Sequence, residues 1–186
     1  MKVILLVQKM ADTIGIGQLA EALKRISSND LKKVASGLEM ALGIEHESIR
    51  FYAAQAEKSK GKAIGQFFLF LAGQEKSHLK AIGELRGSLL EEGKWVEPKL
   101  PAKAKPEVFA GKDWDNGAGS EPVAAVLFAL WKEKLAQEFY SGAAEKTRNA
   151  GAKRFFAALA EFEKTHAEML GEYAEESFYT HELIMG

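Results

Sequence analysis

The sequence repeats itself once, with an offset of 88 residues, and each copy places the same polar residues inside the same apolar pattern. No gap is needed to align residues 45–85 with residues 133–173. The chemically most informative residues that recur are Glu45 as Glu133, Glu75 as Glu163, and His78 as His166. Two copies are too few for a solenoid, so the repeat predicts one bundle built from two similar helix pairs.

Both copies contain the motif Glu-x-x-His, in which a carboxylate and an imidazole are three residues apart. Residues three apart on an α-helix lie on one face, so both side chains can reach the same point. One such pair would be a weak signal, because glutamate is common in this chain. Two pairs inside matching apolar stripes are a much stronger indication of a site.

Apolar residues spaced three and four apart predict four long helices. Ser28-Asn29-Asp30 is an N-cap signal at the start of the first, and residues 59–62 make a short turn after it, which places the second antiparallel. The predicted helices run from about Leu31 to Lys58, from about Ala63 to Leu90, from Ser120-Glu121-Pro122 onward, and, after a turn at Asn149-Ala150-Gly151, from about Lys153 to Glu176.

Residues 91–120 form a linker of different composition, with Pro98, Pro101 and Pro106 and a glycine-rich end. A loop this long is unusual in a compact domain unless it crosses from one end to the other. A helix of about 28 residues is about 42 Å long, and the linker can span that distance. Residues 29–186 are therefore predicted to be one all-α antiparallel four-helix bundle with a long crossover between its second and third helices.

Residues 1–28 are predicted to be a helical extension that precedes the bundle. Gln18 to Ile26 has the pattern of a short helix, whereas Val3 to Val7 could form a strand or another short helix, and the helical remainder favours the helix. The extension would pack against the bundle or a second subunit, and a membrane-surface or partner-docking role is the alternative. Residues 177–186 are not assigned.

Composition excludes several classes of function. The net charge is −1, with no excess of basic residues, so we expect no binding to nucleic acid. The absence of cysteine excludes disulfides, thiol chemistry and cysteine-ligated metal. The first apolar run is too short for a signal peptide or a membrane span, so we expect a soluble cytoplasmic protein that does not act at a membrane.

Each of the four apolar stripes is interrupted near its middle by Glu or by Glu and His, so a bundle would bury four carboxylates and two imidazoles together. Four uncompensated buried anions would cost many kcal/mol, whereas two divalent cations supply the matching charge. Glu from two helices and Glu-x-x-His from the other two is the ligand set of a di-metal carboxylate site. Glu75 and Glu163 would bridge the ions, Glu45 and Glu133 would be terminal ligands, and His78 and His166 would bind one ion each.

Mixed carboxylate and imidazole ligands suit iron or manganese, and zinc can also bind. Open coordination positions would admit dioxygen or peroxide. Tyr52 and Tyr140 lie two turns after Glu45 and Glu133, on the same faces. We therefore predict that both tyrosines hydrogen-bond ligand carboxylates, the alternative being core tyrosines whose hydroxyls bond elsewhere.

Residues 41–52 (ALGIEHESIRFY) with Glu75-Lys76-Ser77-His78, and their repeats around Glu133 and Glu163, carry a resemblance to a known family. Over roughly residues 31–176 the chain resembles the rubrerythrin family of ferritin-like proteins. The resemblance implies a ferritin-like bundle with a non-haem di-iron centre. It also implies the activities of the family, whose members reduce hydrogen peroxide or oxidise ferrous iron and protect cells from oxidative stress.

Two features depart from the pattern that the resemblance implies. Rubrerythrins proper carry a rubredoxin module with four cysteines, and since this chain has none, its electrons would come from a separate donor. Rubrerythrins also have an additional carboxylate one turn after the third-helix ligand, where this chain has Ala136, with Ser48 as its counterpart. The site thus resembles a symmetric six-ligand version, which argues against a mechanism in which an iron moves between a carboxylate and a histidine.

The leading hypothesis is a di-iron oxidoreductase that reduces hydrogen peroxide or dioxygen with electrons from a separate donor protein. The alternatives are a ferroxidase or iron-handling protein that uses the same site, and a non-enzymatic helical scaffold. The long linker between equal halves would also permit two chains to exchange helix pairs, so we expect a homodimer, swapped or not.

Overall fold

The computed structural model describes residues 16–101 and 120–185, with side chains for residues 18–101 and 123–176. Within these residues the secondary structure is helical, with α1 at Ile16–Ile26, α2 at Leu31–Lys58, α3 at Ala63–Glu91, α4 at Ser120–Lys146 and α5 at Ala150–Met185. The pairs α2–α3 and α4–α5 pack along their lengths, and α1 packs on α2 and α4. The predicted ferritin-like helical bundle, preceded by a short helix, is confirmed.

The first bundle helix begins and ends where the sequence predicts. Asp30 is its N-cap, and the carboxylate accepts a hydrogen bond from the backbone N–H of Lys32 at 2.9 Å. Ser28 Oγ accepts in turn from the backbone N–H of Asp30 at 3.1 Å. At the other end, the helix stops at Lys58 and the chain turns back into α3. Local capping chemistry therefore sets where α2 begins, and the apolar stripe along the helix turns Glu45 towards the bundle interior.

The predicted turn at Asn149-Ala150-Gly151 is wrong in its last two residues, because α5 already begins at Ala150. Asn149 caps the helix, and its Oδ1 accepts from the N–H of Ala152 at 2.9 Å. Gly151 serves packing and not the turn: a Cβ there would lie 2.6 Å from Trp95 Nε1. The helix also continues through the unassigned tail to Met185, beyond the predicted end at Glu176.

The core consists of two apolar clusters, one towards each end of the bundle. Along each of the four long helices, the polar residues of the motif fall between the segments that supply these clusters. The first cluster includes Leu38, Ile82, Leu85, Phe139, Phe156 and Leu159. The second includes Tyr52, Phe68, Leu71, Val126, Leu170 and Tyr173. The polar residues are thus enclosed between two dry layers that keep water away from them.

Part of the linker packs on the bundle. Trp95 makes an edge contact with Phe155, with ring centroids 6.4 Å apart, and Glu97 pairs with Arg154 at 2.6 Å. Residues 102–119 of the linker and the segment Val3 to Val7 lie outside the described residues. No helix in the part of the chain that the structure covers has the length and apolarity needed to cross a membrane.

Gly65 is expected to tolerate no side chain, because a Cβ would lie 2.3 Å from the carbonyl oxygen of Ser59. The Gly65→Ala variant should lose about 1–3 kcal/mol of unfolding free energy, measured by urea denaturation. Gly83 in the same helix is the matched control, since nothing lies within 4 Å of its Cβ position. Gly83→Ala should gain up to about 1 kcal/mol. Equal changes in the unfolding free energy of Gly65→Ala and Gly83→Ala would contradict the close approach of Gly65 to the Ser59 carbonyl.

Candidate metal centre

The structure brings the six predicted ligand residues together in the middle of the bundle. They come from four helices, and each is at most 2% exposed. The cluster consists of Glu45 on α2, Glu75 and His78 on α3, Glu133 on α4, and Glu163 and His166 on α5. Such burial of six titratable groups is costly unless they neutralise one another or bind cations.

His78 faces three carboxylates through one ring nitrogen. Its Nδ1 lies 3.0 Å from Glu75 Oε2, 3.3 Å from Glu163 Oε1 and 3.7 Å from Glu45 Oε2. Glu75 precedes it by one turn on the same helix, whereas the other two belong to neighbouring helices. These four residues form the first of two groups whose ligand atoms all lie within 4.8 Å of one another.

His166 repeats this arrangement in the second half. Its Nδ1 lies 3.1 Å from Glu75 Oε1, 3.6 Å from Glu163 Oε2 and 3.4 Å from Glu133 Oε2. The two imidazole rings stack with centroids 5.6 Å apart. Glu75 and Glu163 therefore belong to both groups, and each group adds one histidine and one further glutamate.

Several buried atoms of the cluster have no hydrogen-bond partner, although they face one another. His166 Nδ1 and Glu75 Oε1, for example, are 3.1 Å apart without hydrogen-bond geometry. The unpartnered atoms around the centre include Glu75 Oε1, Glu133 Oε2, Glu163 Oε1 and His166 Nδ1. Buried polar atoms are rarely left unpaired, and convergent carboxylate oxygens and an imidazole nitrogen are donors for divalent iron or manganese. The residues present fit a pair of cations.

Tyr52 and Tyr140 each donate a hydrogen bond to a glutamate of the opposite half. Tyr52 O–H donates to Glu133 Oε1, and Tyr140 O–H donates to Glu45 Oε1. A tyrosine seven residues along its own helix is about 10 Å from that helix's glutamate, so the facing helix offers the nearer carboxylate. Burial, and next the charge of the neighbouring glutamate, raise the pKa of both phenols, which keeps them protonated as donors.

The pKa values of the four carboxyls separate into two pairs. Burial raises the pKa of Glu45 and Glu133, and the charges of Glu75 and Glu163 raise it further. Burial also raises the pKa of Glu75, but the adjacent His166 and His78 outweigh this and hold it well below its usual value. For Glu163, burial and the charge of Glu75 are likewise outweighed by the polar groups that face it, Glu133, His166 and His78, so its pKa is lowered.

Both histidines are basic in this environment. Burial lowers the pKa of His78, but its bonds to the surrounding glutamates raise it well above the usual value. Burial also lowers the pKa of His166, but the charge of Glu75 and the other carboxylates outweigh this effect and raise the pKa well above the usual value. These directions favour protonated Glu45 and Glu133, ionised Glu75 and Glu163, and two protonated imidazoles in the metal-free cluster, a set of charges that sums to zero. Four protons thus occupy the place of two divalent cations.

One residue near the centre, Lys132, was not foreseen. Lys132 is partly buried, with its Nζ 5.5 Å from the centroid of the Phe51 ring, and burial lowers its pKa although several carboxylates oppose this. Ser48 is buried and 5% exposed. The repeat contained a signal for the lysine, since it occupies the position of the apolar Ile44 in the first half.

Removing either tyrosine hydroxyl should weaken metal binding. Tyr52→Phe and Tyr140→Phe each leave one carboxylate without the hydrogen bond that orients it, and we expect a loss of about 10–100-fold in metal affinity. Competition titration with a chromophoric chelator measures this. Tyr173→Phe, at a buried tyrosine outside the cluster, should leave the affinity unchanged. A loss of metal affinity in only one of the variants Tyr52→Phe and Tyr140→Phe would contradict the symmetric arrangement of the two hydrogen bonds.

A helical bundle with a buried cluster of four glutamates and two histidines places the protein in the ferritin-like class of carboxylate metal proteins. The sequence profile of the Rubrerythrin family matches residues 37–174, which is most of the chain, and the chain belongs to the rubrerythrin family. No curated protein and no solved structure gives a significant match. Family membership and the cluster together indicate a di-iron oxidoreductase in general terms.

Proposed function

We propose that this protein is a non-haem di-iron oxidoreductase that reduces hydrogen peroxide, or dioxygen, in oxidative-stress defence in the cytoplasm. The observation that carries the proposal is the pair of four-residue groups that share Glu75 and Glu163. Sharing two carboxylates holds two cations close together, as a two-electron reaction at one small molecule requires. Electrons come from a separate donor protein, because a chain without cysteine has no thiolate-ligated iron centre of its own.

In this proposal Glu45 and His78 would hold one iron, Glu133 and His166 would hold the other, and Glu75 and Glu163 would be shared by both. When bound, the irons supply the two electrons that convert one hydrogen peroxide and two protons into two water molecules. Manganese or zinc would fit the same donors, but zinc has no redox chemistry. The iron identity therefore rests on the family and on the proposed reaction.

The protein residues position the ligands and exclude bulk water. Tyr140 bonds Glu45 at Oε1, which leaves Oε2 directed towards His78 at 3.7 Å. Tyr52 acts in the same way on Glu133, whose Oε2 lies 3.4 Å from His166. Because each tyrosine reaches across to the other half, the two hydrogen bonds also fix the halves relative to each other. The apolar clusters above and below keep competing water away.

A ferroxidase or iron-handling role is the second candidate, favoured by Ala136. The additional carboxylate of rubrerythrins is replaced there by a buried methyl group, 5% exposed, and its counterpart is Ser48. In a six-ligand site without that carboxylate, ferrous iron could itself be the substrate and leave as ferric product. Uptake of many more irons than the two of the centre would favour this role.

A non-enzymatic scaffold, the third hypothesis, requires that no metal binds stoichiometrically.

The direct test is consumption of hydrogen peroxide by the iron-loaded protein with a chemical reductant. We expect a rate at least about tenfold above that of the same concentration of free iron. The variant Glu75→Ala/Glu163→Ala, treated identically, should fall to the rate of free iron. Equal rates for wild type, variant and free iron would rule out the peroxide-reducing function.

We also propose that the chain forms a homodimer. The linker between two equal halves is long enough to let two chains exchange helix pairs, although one chain can assemble the whole cluster. Light scattering at micromolar concentration should give twice the mass of one chain. A monomer under those conditions would contradict this proposal and leave the metal centre unaffected.

A further inference from the structure

The short helix α1 covers the cleft between α2 and α4, the two helices that carry Glu45 and Glu133. α2 packs mainly on α3, and α4 mainly on α5, so α2 and α4 approach each other over only a short stretch. Leu19 and Leu23 of α1 pack against the apolar core there. α1 precedes residue 37, where the match to the family begins, so this cover lies outside the matching segment.

A cavity of about 20 Å³ lies in this cleft, and it is large enough for one molecule of about the size of water. Its surface is almost wholly carbon. It is lined by Leu19, Ile44, Glu47, Lys132, Leu135 and Ala136. Ile44 and Lys132 directly precede the ligands Glu45 and Glu133, so the cavity lies at the level of the metal centre.

The repeat shows which part of the lining is unusual. Ile44 and Lys132 occupy equivalent positions in the two halves. The isoleucine has a short, branched, apolar side chain, whereas the lysine has a long side chain that ends in an amine. Lys132 crosses the cleft from α4, since its Nζ lies 5.5 Å from the centroid of Phe51 on α2. Leu19 forms the α1 side of the cavity. Truncating either side chain would widen the cleft, and a larger residue 19 would fill it.

We propose, on the basis of the proposed function, that this cleft is the route by which the oxidant reaches the metal centre. Leu19 and Lys132 are its specificity-determining residues. They restrict the oxidant to a molecule of the size of hydrogen peroxide or dioxygen and exclude alkyl hydroperoxides. The carbon lining suits a small uncharged molecule, and the alanine at position 136 leaves the space open.

The first test follows nitric oxide, a small uncharged probe, as it binds to the ferrous, iron-loaded protein, by absorption, which needs no turnover. Filling the cleft with Leu19→Trp should slow association and dissociation together by about tenfold or more, with an unchanged Kd, because a route changes rates and not the equilibrium. Leu19→Ala and Lys132→Ala should accelerate both rates. The matched controls are Leu69→Trp, at a leucine 53% exposed, and Lys134→Ala, at an exposed lysine, and neither should change the rates.

The second test compares the rates with hydrogen peroxide and with tert-butyl hydroperoxide. Leu19→Ala and Lys132→Ala should raise the relative rate with the bulky peroxide by about tenfold. Unchanged nitric oxide rates in all three cleft variants, with iron content retained, would overturn the proposed route and leave the proposed function standing. Iron bound without peroxide turnover would overturn the proposed function alone, and nitric oxide binding would still decide the route. A wild type that takes up no iron would overturn both.

Discussion

Replacing both Glu75 and Glu163 by alanine is expected to abolish metal binding together with the stability that metal confers. These two carboxylates belong to both four-residue groups, so their loss removes two ligands from each cation at once. A ligand at 100 times its Kd stabilises a protein by about 2.7 kcal/mol per site, so two sites contribute about 5 kcal/mol. For a chain of this size that raises Tm by roughly 10–20 °C. In the Glu75→Ala/Glu163→Ala variant this metal-induced rise in Tm should be absent.

The matched control for this experiment is Glu84→Ala/Glu168→Ala. These glutamates lie on the same two helices, but they are exposed and pair with Lys80 and Lys164 on the surface. Exposed pairs of this kind contribute about 0–1 kcal/mol, so the control should keep the full metal-induced shift. Thermal unfolding with and without ferrous iron, under anaerobic conditions, measures it. A double alanine variant that retained the shift would show that the metal binds elsewhere.

Loading two divalent cations is expected to release about four protons per chain. The raised pKa values of Glu45 and Glu133 favour the protonated carboxyls in the metal-free protein. The raised pKa values of His78 and His166 likewise favour the protonated rings. Metal needs all four in their basic forms, so each group loses one proton. Titration of the metal-free protein with metal in weakly buffered solution measures the release directly.

The same shifts predict how metal-induced stabilisation depends on pH. A group whose pKa is raised on folding stabilises the metal-free protein fully below its unfolded pKa, and that contribution is lost as pH rises through the folded pKa. Glu45, Glu133, His78 and His166 all act in this direction. The lowered pKa values of Glu75 and Glu163 act oppositely, and their contribution is lost as pH falls below the usual range of glutamate.

The metal-free cluster should therefore become less stabilising as pH rises above the ordinary pKa of glutamate, whereas metal binding becomes stronger. The metal-induced rise in Tm should be larger at pH 7.5 than at pH 5.5, because protons compete for the same donors. Metal titrations and thermal scans at the two pH values test this. Release of fewer than about two protons, or a shift independent of pH, would contradict the assigned protonation states.

The parts of the fold predicted best from sequence are those set by local chemistry. The limits of α2 follow from the Asp30 cap and the turn after Lys58, and both can be read from neighbouring residues. The position of the cluster follows from periodicity, since a glutamate or histidine within an apolar stripe must face the interior. The repeat then predicts that all six side chains of the cluster lie at the same height along the bundle axis, because equivalent residues of two antiparallel helix pairs lie at equivalent heights.

What depends on contacts between distant segments could not be predicted in the same way. The seven-residue spacing of Glu45 and Tyr52 predicts that both side chains lie on one face of α2. It does not show that Tyr52 bonds Glu133 and that Tyr140 bonds Glu45, because these partners depend on which helices face each other. Gly151 has the sequence context of a turn, yet its size is required by Trp95, a residue distant in sequence. The α1 cover likewise depends on tertiary packing, which an amphipathic pattern alone does not specify.

Metal content is the direct test of the proposal that the six buried residues hold two irons. The protein is loaded with ferrous iron under anaerobic conditions, desalted, and measured by mass spectrometry beside the Glu75→Ala/Glu163→Ala variant. We expect about two irons per chain in the wild type and essentially none in the variant. Wild-type protein without stoichiometric iron, or a variant that retains two, would contradict it.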